Sequence, residues 1–412
     1  MAKTVAVIGA LDTKGKENEY LVNQLKKRGL SVITVDLGIM GKPYFVADYP
    51  GEIVAERGGM SLQTLREKKD RSLGLSIMSK GALAIVQELI TDKKIDGICA
   101  LGGGQGTFMA TSVLKELPVG FPRVLASTTA FSGIVREAFD NLGDTFVANS
   151  IVDIEGLNTR LRETIIKVAA VLDALVNVDP VPKSDAKGTV AITMWGITTK
   201  CGDRVTHILE NHGYEVMVFH ATGDGGNVME QLCEQGRIDC VVDLTTAELS
   251  HEVLENEIGW RNHRRMKVAG ACGIPQIIIP GGLDAINLAN PHVVPEKWNS
   301  PNRKFHMHNP SMKVMRTTKE DLIKVGEEMA KRLKPSKGKV EVLLPLKGLS
   351  ANDVEGGDFY DPEADEALFK VLHKELDGIM PVVDCPYAVN DDAFADKIAD
   401  TALKFLERER EL

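Results

Sequence analysis

The feature that most constrains this chain is a plan that occurs in it twice. The short apolar run Thr4-Val-Ala-Val-Ile8 leads into Gly9-Ala-Leu-Asp-Thr-Lys14, then a helical stretch to Arg28-Gly29, then a second run from Ser31 to Asp36. Thr189-Val-Ala-Ile-Thr193 leads in the same way into Met194-Trp-Gly-Ile-Thr-Thr-Lys200, a helical stretch to Asn211-His212-Gly213, and a run from Glu215 to Phe219. The parallel continues with Asp96 to Leu101 against Asp239 to Leu244, and with Gly120 to Val124 against Gly273 to Ile277. Short Val- and Ile-rich runs separated by helical stretches are the mark of parallel βαβ units, whose crossover helices cover both faces of a sheet. Periodicity does not require the Gly-x-Pro step that precedes a strand in both halves. The sequence therefore predicts an α/β protein of two doubly wound parallel-sheet, Rossmann-like domains related by internal duplication.

A chain of 412 residues suits two such domains of roughly 200 residues each. The segment from Asp179 to Gly188 is short, polar and carries two prolines, as linkers do, so the expected domains are residues 1–184 and 185–412. Two stretches have no counterpart in the repeat. Gly38 to Lys80 is a long insertion, and Leu283 to Lys319, with Pro291, Pro295, Pro301 and Pro310, reads as irregular; such stretches serve as lids or interface arms. Val340 to Leu344 and Pro381 to Asp384 read as further strands, and Ala393 to Glu409 as a closing helix.

With 43% hydrophobic and 26% charged residues the chain can bury enough apolar surface to offset its ordering entropy. A net charge of −9 argues against nucleic acid as a partner, because a phosphate-backbone binder needs a clustered basic surface. The start lacks the apolar core of a signal peptide, and no run approaches the roughly 20 apolar residues of a membrane span, so no membrane is expected and the cytoplasm is the expected location. The six cysteines form no CxxC pair and read as small core residues. Cys201 is the exception, placed in a loop just before a helix whose dipole can lower a thiol pKa.

Ligands of open parallel sheets bind beyond the carboxyl ends of the strands, which directs attention to the loops there. Gly102, Gly103, Gly104 and Gly106, with Gln105 and Thr107, lie between a strand ending at Leu101 and a helix beginning near Thr107. Backbone N–H groups without side chains can approach an anion closely, and a helix N-terminus adds partial positive charge; a turn allowing tight strand–helix contact is the other reading. In the loop opened by Gly9, Asp12 can hold Mg²⁺ and Lys14 can neutralise a phosphate, while Asp12 and Thr13 equally suit helix capping. Asp36 stands where an acidic residue often meets a ribose hydroxyl. Ser127, Thr128 and Thr129, which open the loop to Gly133, supply hydroxyls for phosphate oxygens or for loop capping. In the second half His220 precedes Ala-Thr-Gly-Asp-Gly-Gly226, and the runs from Thr198 to Cys201, Thr245 to Glu248 and Pro280 to Asp284 share its edge. His306 and His308 are two candidate metal ligands without a third.

Six motifs taken together resemble a known family. They are Gly9 to Glu17, Gly102 to Thr107, Ser127 to Thr129, His220 to Gly226, Met307-His-Asn-Pro310 and Gly357-Asp-Phe-Tyr-Asp-Pro362. The family of two-subdomain Rossmann-like proteins that they resemble includes the ATP-binding inhibitory domain of the plant tobamovirus-resistance protein. The resemblance spans essentially all 412 residues and implies ATP with Mg²⁺ and a homodimer. At one loop the chain departs from it, with Lys200 in Thr198-Thr-Lys-Cys201 where the family has proline.

Three functions follow as expectations. The first is a nucleotide-binding protein with ATP phosphates over Gly102 to Thr107. The second is an enzyme acting on a small phosphorylated or carboxylated metabolite between the domains, with Asp12, Cys201 and His220 as candidate acid, base or nucleophile. The third is a protein-interaction scaffold stabilised by nucleotide.

Overall fold

The computed structural model describes residues 2–130, 136–179, 181–182, 184–255, 264–301 and 303–408. Residues 131–133 of the fourth loop, and Pro180 and Lys183 of the expected linker, lie outside these. The chain divides into two compact units, Met1–Pro182 and Lys183–Leu412.

The first unit is built on five parallel strands, β1 (Thr4–Gly9), β2 (Ser31–Asp36), β3 (Gly97–Gly102), β4 (Arg123–Ser127) and β5 (Phe146–Asn149), in the order β2-β1-β3-β4-β5. Successive side chains of β1 go to opposite faces, and both faces are covered. Val5 and Val7 pack with α1 (Gly15–Lys27) and α7 (Thr159–Val176), whereas Ala6 and Ile8 join the core formed with α2 (Gly51–Gly58), α4 (Arg71–Thr91) and α5 (Gly104–Leu114). The order reverses between β1 and β3. In an open parallel sheet that switch point opens a crevice at the carboxyl ends of the strands.

The insertion is folded helix rather than irregular chain. It holds α2, α3 (Leu62–Lys68) and the first half of α4. Ser61 and Asp70 cap α3 and α4, each accepting a backbone N–H three residues on. With 21 residues and an 18-residue window of mean hydropathy 1.4, α4 could cross a membrane by length and composition alone. Here Met78, Ala82, Ile85 and Leu89 of α4 enter the core, and Gly81 seats so closely on α2 that a Cβ would lie 1.8 Å from the Val54 carbonyl oxygen.

The second unit has six parallel strands, β6 (Thr189–Met194), β7 (Glu215–His220), β8 (Cys240–Thr245), β9 (Gln276–Gly281), β13 (Val340–Pro345) and β14 (Val382–Cys385), in the order β7-β6-β8-β9-β13-β14. Its first five strands repeat the order of the first sheet, strand for strand. One face packs against α8 (Thr199–Asn211) and α14 (Asp392–Arg408), the other against α10 (Ala247–Val253), α12 (Lys319–Leu333) and α13 (Pro362–Leu376). The stretch after Leu283 is also ordered, contrary to its proline content. It forms the antiparallel sheet β10 (Ala285–Asn287), β12 (Met312–Arg316), β11 (Phe305–Asn309), with Pro291, Pro295 and Pro301 confined to the link before β11 and Pro310 to the β11–β12 turn. Proline lacks the N–H that a ladder uses, and these four lie in the links and turns where none is required.

Candidate functional site

The first unit carries a cavity of about 520 Å³ at its switch point. Ala10, Asp12 and Thr13 reach it from the loop after β1, Leu37 and Ile39 from the loop after β2, and Gln105 and Met109 from α5. The insertion closes it with Leu65, Arg66, Lys69, Asp70, Arg71 and Leu75. The lining thus combines an apolar wall with three cationic side chains. A volume of this size suits a small-molecule ligand.

The polar groups at the rim are ordered by backbone contacts. Asp12 Oδ2 accepts N–H bonds from Ile39, Met40 and Gly41 at 3.1, 2.9 and 3.0 Å, and Arg66 donates to the carbonyls of Ile39 and Gly41. Asp12 Oδ1 is enclosed without a hydrogen-bond partner. Oδ2 is therefore taken up by the loop while Oδ1 is enclosed and unpaired among the described residues, so Asp12 does not fit the expected role of free acid–base group. Among the described residues no cluster of three or more His, Cys, Asp or Glu forms a metal site. Asp36 is 3% exposed, and its Oδ1 accepts from Leu11 and Gly38 at 2.9 and 2.8 Å. Burial raises its pKa against those two bonds, with the neighbouring Asp12 charge adding to the rise. Asp36 organises the loops, which displaces the expected ribose contact.

The glycine-rich run is tighter than the sequence suggests. Gly102 ends β3, and α5 begins at Gly104, so Gly104, Gln105 and Gly106 form the first helical turn and Gly103 its N-cap. A Cβ on Gly102 would stand 2.4 Å from the Thr107 nitrogen, whereas Gly103 and Gly104 have open space around them. Among the described residues no side chain caps α5, so its first N–H groups have no side-chain acceptor there. Thr107 and Ser127 are fully buried and share a 2.6 Å hydroxyl contact, and Ser127 Oγ also meets Thr129 Oγ1 at 3.0 Å. These two hydroxyls lock β3 to β4 beneath the turn and are closed to a ligand; Thr128 and Thr129 are half-buried. Lys14 pairs with Glu155 and is absent from the cavity lining. Gly9 faces α1, where a Cβ would meet Asn18 Oδ1 at 2.6 Å.

In the second unit the candidate nucleophile loses its physical basis. Cys201 lies inside α8 at 1% exposure, and burial pushes its thiol up to about 12 despite the nearby Lys200. His220 ends the edge strand β7, exposed, with Nδ1 3.3 Å from the Met194 carbonyl oxygen. The glycines after it are held by Glu248, which accepts from Gly223 and Gly226 at 2.5 and 3.3 Å. Glu248 in turn pairs with buried Arg265, which also clasps Asp243 through two 2.7 Å bonds. A second buried network joins Arg316 to Asp365 at 2.6 Å and to the Phe359 carbonyl at 2.9 Å. The Gly357 to Pro362 motif is thus a structural brace. His306 pairs with Asp358 at 2.6 Å, while His308 is exposed on the bulged half of β11.

Comparison with known proteins accounts for both units. Residues 3–180 match the N-terminal domain, and residues 187–406 the C-terminal domain, of the family described as Uncharacterised protein family (UPF0261). The chain belongs to the UPF0261 family. A UPF0261 protein of Clostridium tetani is 36% identical over 99% of this chain and 100% of its own length. The ToMV resistance protein Tm-1(GCR237) of Solanum lycopersicum is 32% identical over 98% of this chain, which spans 56% of that protein. Among solved structures a UDP-N-acetylglucosamine 2-epimerase from Rickettsia bellii aligns with 69% of this chain and 82% of its own, at 12% identity and a TM-score of 0.24.

In this UPF0261 chain the structure brings Asp12, Thr13 and the Gly102–Gly106 turn to one edge of the first sheet. It leaves Lys14 outside the cavity they frame. The cations that do line it, Arg66, Lys69 and Arg71, have one sequence signal, the charged run Arg66-Glu-Lys-Lys-Asp-Arg71. By itself such a run reads as a solvated helix face.

Proposed function

We propose that the first unit of this UPF0261 protein binds a nucleotide, ATP with Mg²⁺, at the carboxyl edge of its sheet. The observation that carries the reading is the cavity at the switch point, with an apolar wall, a cationic rim and the uncapped first turn of α5 on one border. Apolar side chains suit the faces of a base, and cations with free N–H groups suit phosphates. Mg²⁺ belongs in this reading as the counter-ion of the phosphates, keeping its waters, since Asp12 is engaged by the loop. The resemblance drawn from the six motifs points the same way, and with it we carry a cytoplasmic homodimer as part of the proposal.

Calorimetric titration of the full chain with ATP, ADP and AMP, with and without Mg²⁺, tests the binding. Saturable heat for ATP is expected, and its absence at millimolar nucleotide overturns the reading. Light scattering tests the dimer.

A further inference from the structure

Resting on the nucleotide reading, we infer that Lys69 and Arg71, on the turn between α3 and α4, form the polyphosphate end of the site, and that Lys14 takes no part in it. Of the three cations in the cavity lining, Arg66 is spent on the carbonyls of Ile39 and Gly41. Lys69 has no ion pair or hydrogen bond among the described residues. Among the described residues Arg71 faces the side-chain amide of Gln105, a contact that is a hydrogen bond when the amide is turned with its oxygen toward the guanidinium. A neutral amide orients that cation without cancelling its charge.

The two carboxylates of the same lining lower its net charge, but among the described residues neither forms an ion pair with Lys69 or Arg71. Asp12 gives Oδ2 to three backbone N–H groups, and Asp70 caps α4 through the Leu73 N–H at 3.0 Å. The turn therefore presents two cations outside any ion pair to a lining of three positive and two negative side chains, next to the first turn of α5 through Gln105. An anion with charge spread over several oxygens answers both cations at once, and a nucleoside polyphosphate is the class that also fills the apolar wall.

The backbone supplies an independent sign. Lys69 stands at φ +51° and ψ +21°, the left-handed region that glycine adopts without a Cβ penalty. A lysine there strains the α3 C-cap, and among the described residues its side chain makes no hydrogen bond or ion pair that would compensate. Strain held at a cavity wall by a residue with no structural partner is what a ligand-binding role predicts.

The test is calorimetry of the full chain with ATP, ADP, AMP and adenosine at fixed ionic strength, on the wild type and on Lys69→Gly, Arg71→Gln and Lys14→Gln. Wild-type affinity is expected to fall stepwise from ATP to AMP. Lys69→Gly and Arg71→Gln should each weaken ATP by about tenfold, flatten that series and leave adenosine unchanged, while Lys14→Gln stays near wild type. Lys69→Gly should also raise the Tm of the ligand-free protein, which separates lost binding from lost folding. Wild-type ATP affinity in both turn variants overturns this inference and leaves the nucleotide reading standing. A wild type that binds no nucleotide overturns both.

Discussion

Asp12 and Arg66 hold the same turn, Ile39 to Gly41, by opposite groups of the backbone: the carboxylate takes all three N–H groups and the guanidinium takes the carbonyls of Ile39 and Gly41. This clasp shapes one wall of the cavity and joins the loop after β1 to the insertion. Asp12→Ala removes three charge-assisted bonds, and about 1–3 kcal/mol of stability should go with them. Denaturant unfolding measures the loss, and hydrogen exchange at Ile39 to Gly41 should quicken ahead of the rest of the unit. Unchanged exchange at those amides would show that the loop does not depend on the clasp.

His251 should make the second unit acid-sensitive. It is buried, its Nε2 accepts the Asn287 N–H at 3.0 Å, and its Nδ1 lies 2.9 Å from the Ala247 carbonyl oxygen, so the neutral Nδ1–H form satisfies both contacts. Burial lowers its pKa from 6.5 to about 4, against the bond to Ala247. A depressed folded pKa contributes stability that is complete above the unfolded value and is lost as pH falls through the folded one. The window runs from pH 6.5 down to about 4 and spans up to about 3 kcal/mol. Urea unfolding of wild type and His251→Gln across that range should show a steeper decline in the wild type. Parallel curves would remove His251 as the cause.

Arg265 is 1% exposed and meets the carboxylates of Asp243 and Glu248, with Glu230 3.8 Å away. Substituting Met keeps the volume roughly but leaves buried carboxylates without their cation, which costs about 3–5 kcal/mol when one partner of a buried pair is removed. Because Glu248 anchors Gly223 and Gly226, the loop after His220 should loosen as well. Thermal unfolding of Arg265→Met checks the first effect and proteolysis near Gly223 the second. Wild-type stability would show that the carboxylates take up protons without cost.

Cysteine labelling separates a reactive thiol from a packed one. Cys272 is exposed and the other five cysteines are buried. With iodoacetamide at pH 7.5, Cys272 should react first in the native protein, and Cys201 only on unfolding, since its thiol is pushed up to about 12. Mass spectrometry of the labelled peptides reads the order. Equal rates at Cys201 and Cys272 would restore Cys201 as a candidate nucleophile.

Particular elements show why the fold was more legible than the site. The run Ser31 to Asp36 coincides with β2, and the closing helix expected from Ala393 is α14, because Val and Ile alternation and a 3.6-residue period are local properties. The insertion was harder to read. Its first two helices are short, and the caps of α3 and α4, Ser61 and Asp70, are signals that stand out only once the helix starts are known. In the glycine-rich run, helix α5 starts three residues earlier than expected, because Gly102 must pass within contact of Thr107.

The sequence by itself determined the two parallel-sheet units and the four segments matched between them, which form β1 to β4 and β6 to β9. Each follows from a pattern of neighbouring residues. Only the tertiary structure decided which charges face the cavity. Lys14 is drawn away by Glu155, a partner 141 positions along the chain, Asp12 is consumed by the loop after β2, and Lys69 and Arg71 arrive from an insertion outside the repeat. The physical reason is that a charge is free or spent according to what folding sets beside it, and that neighbour is distant in sequence.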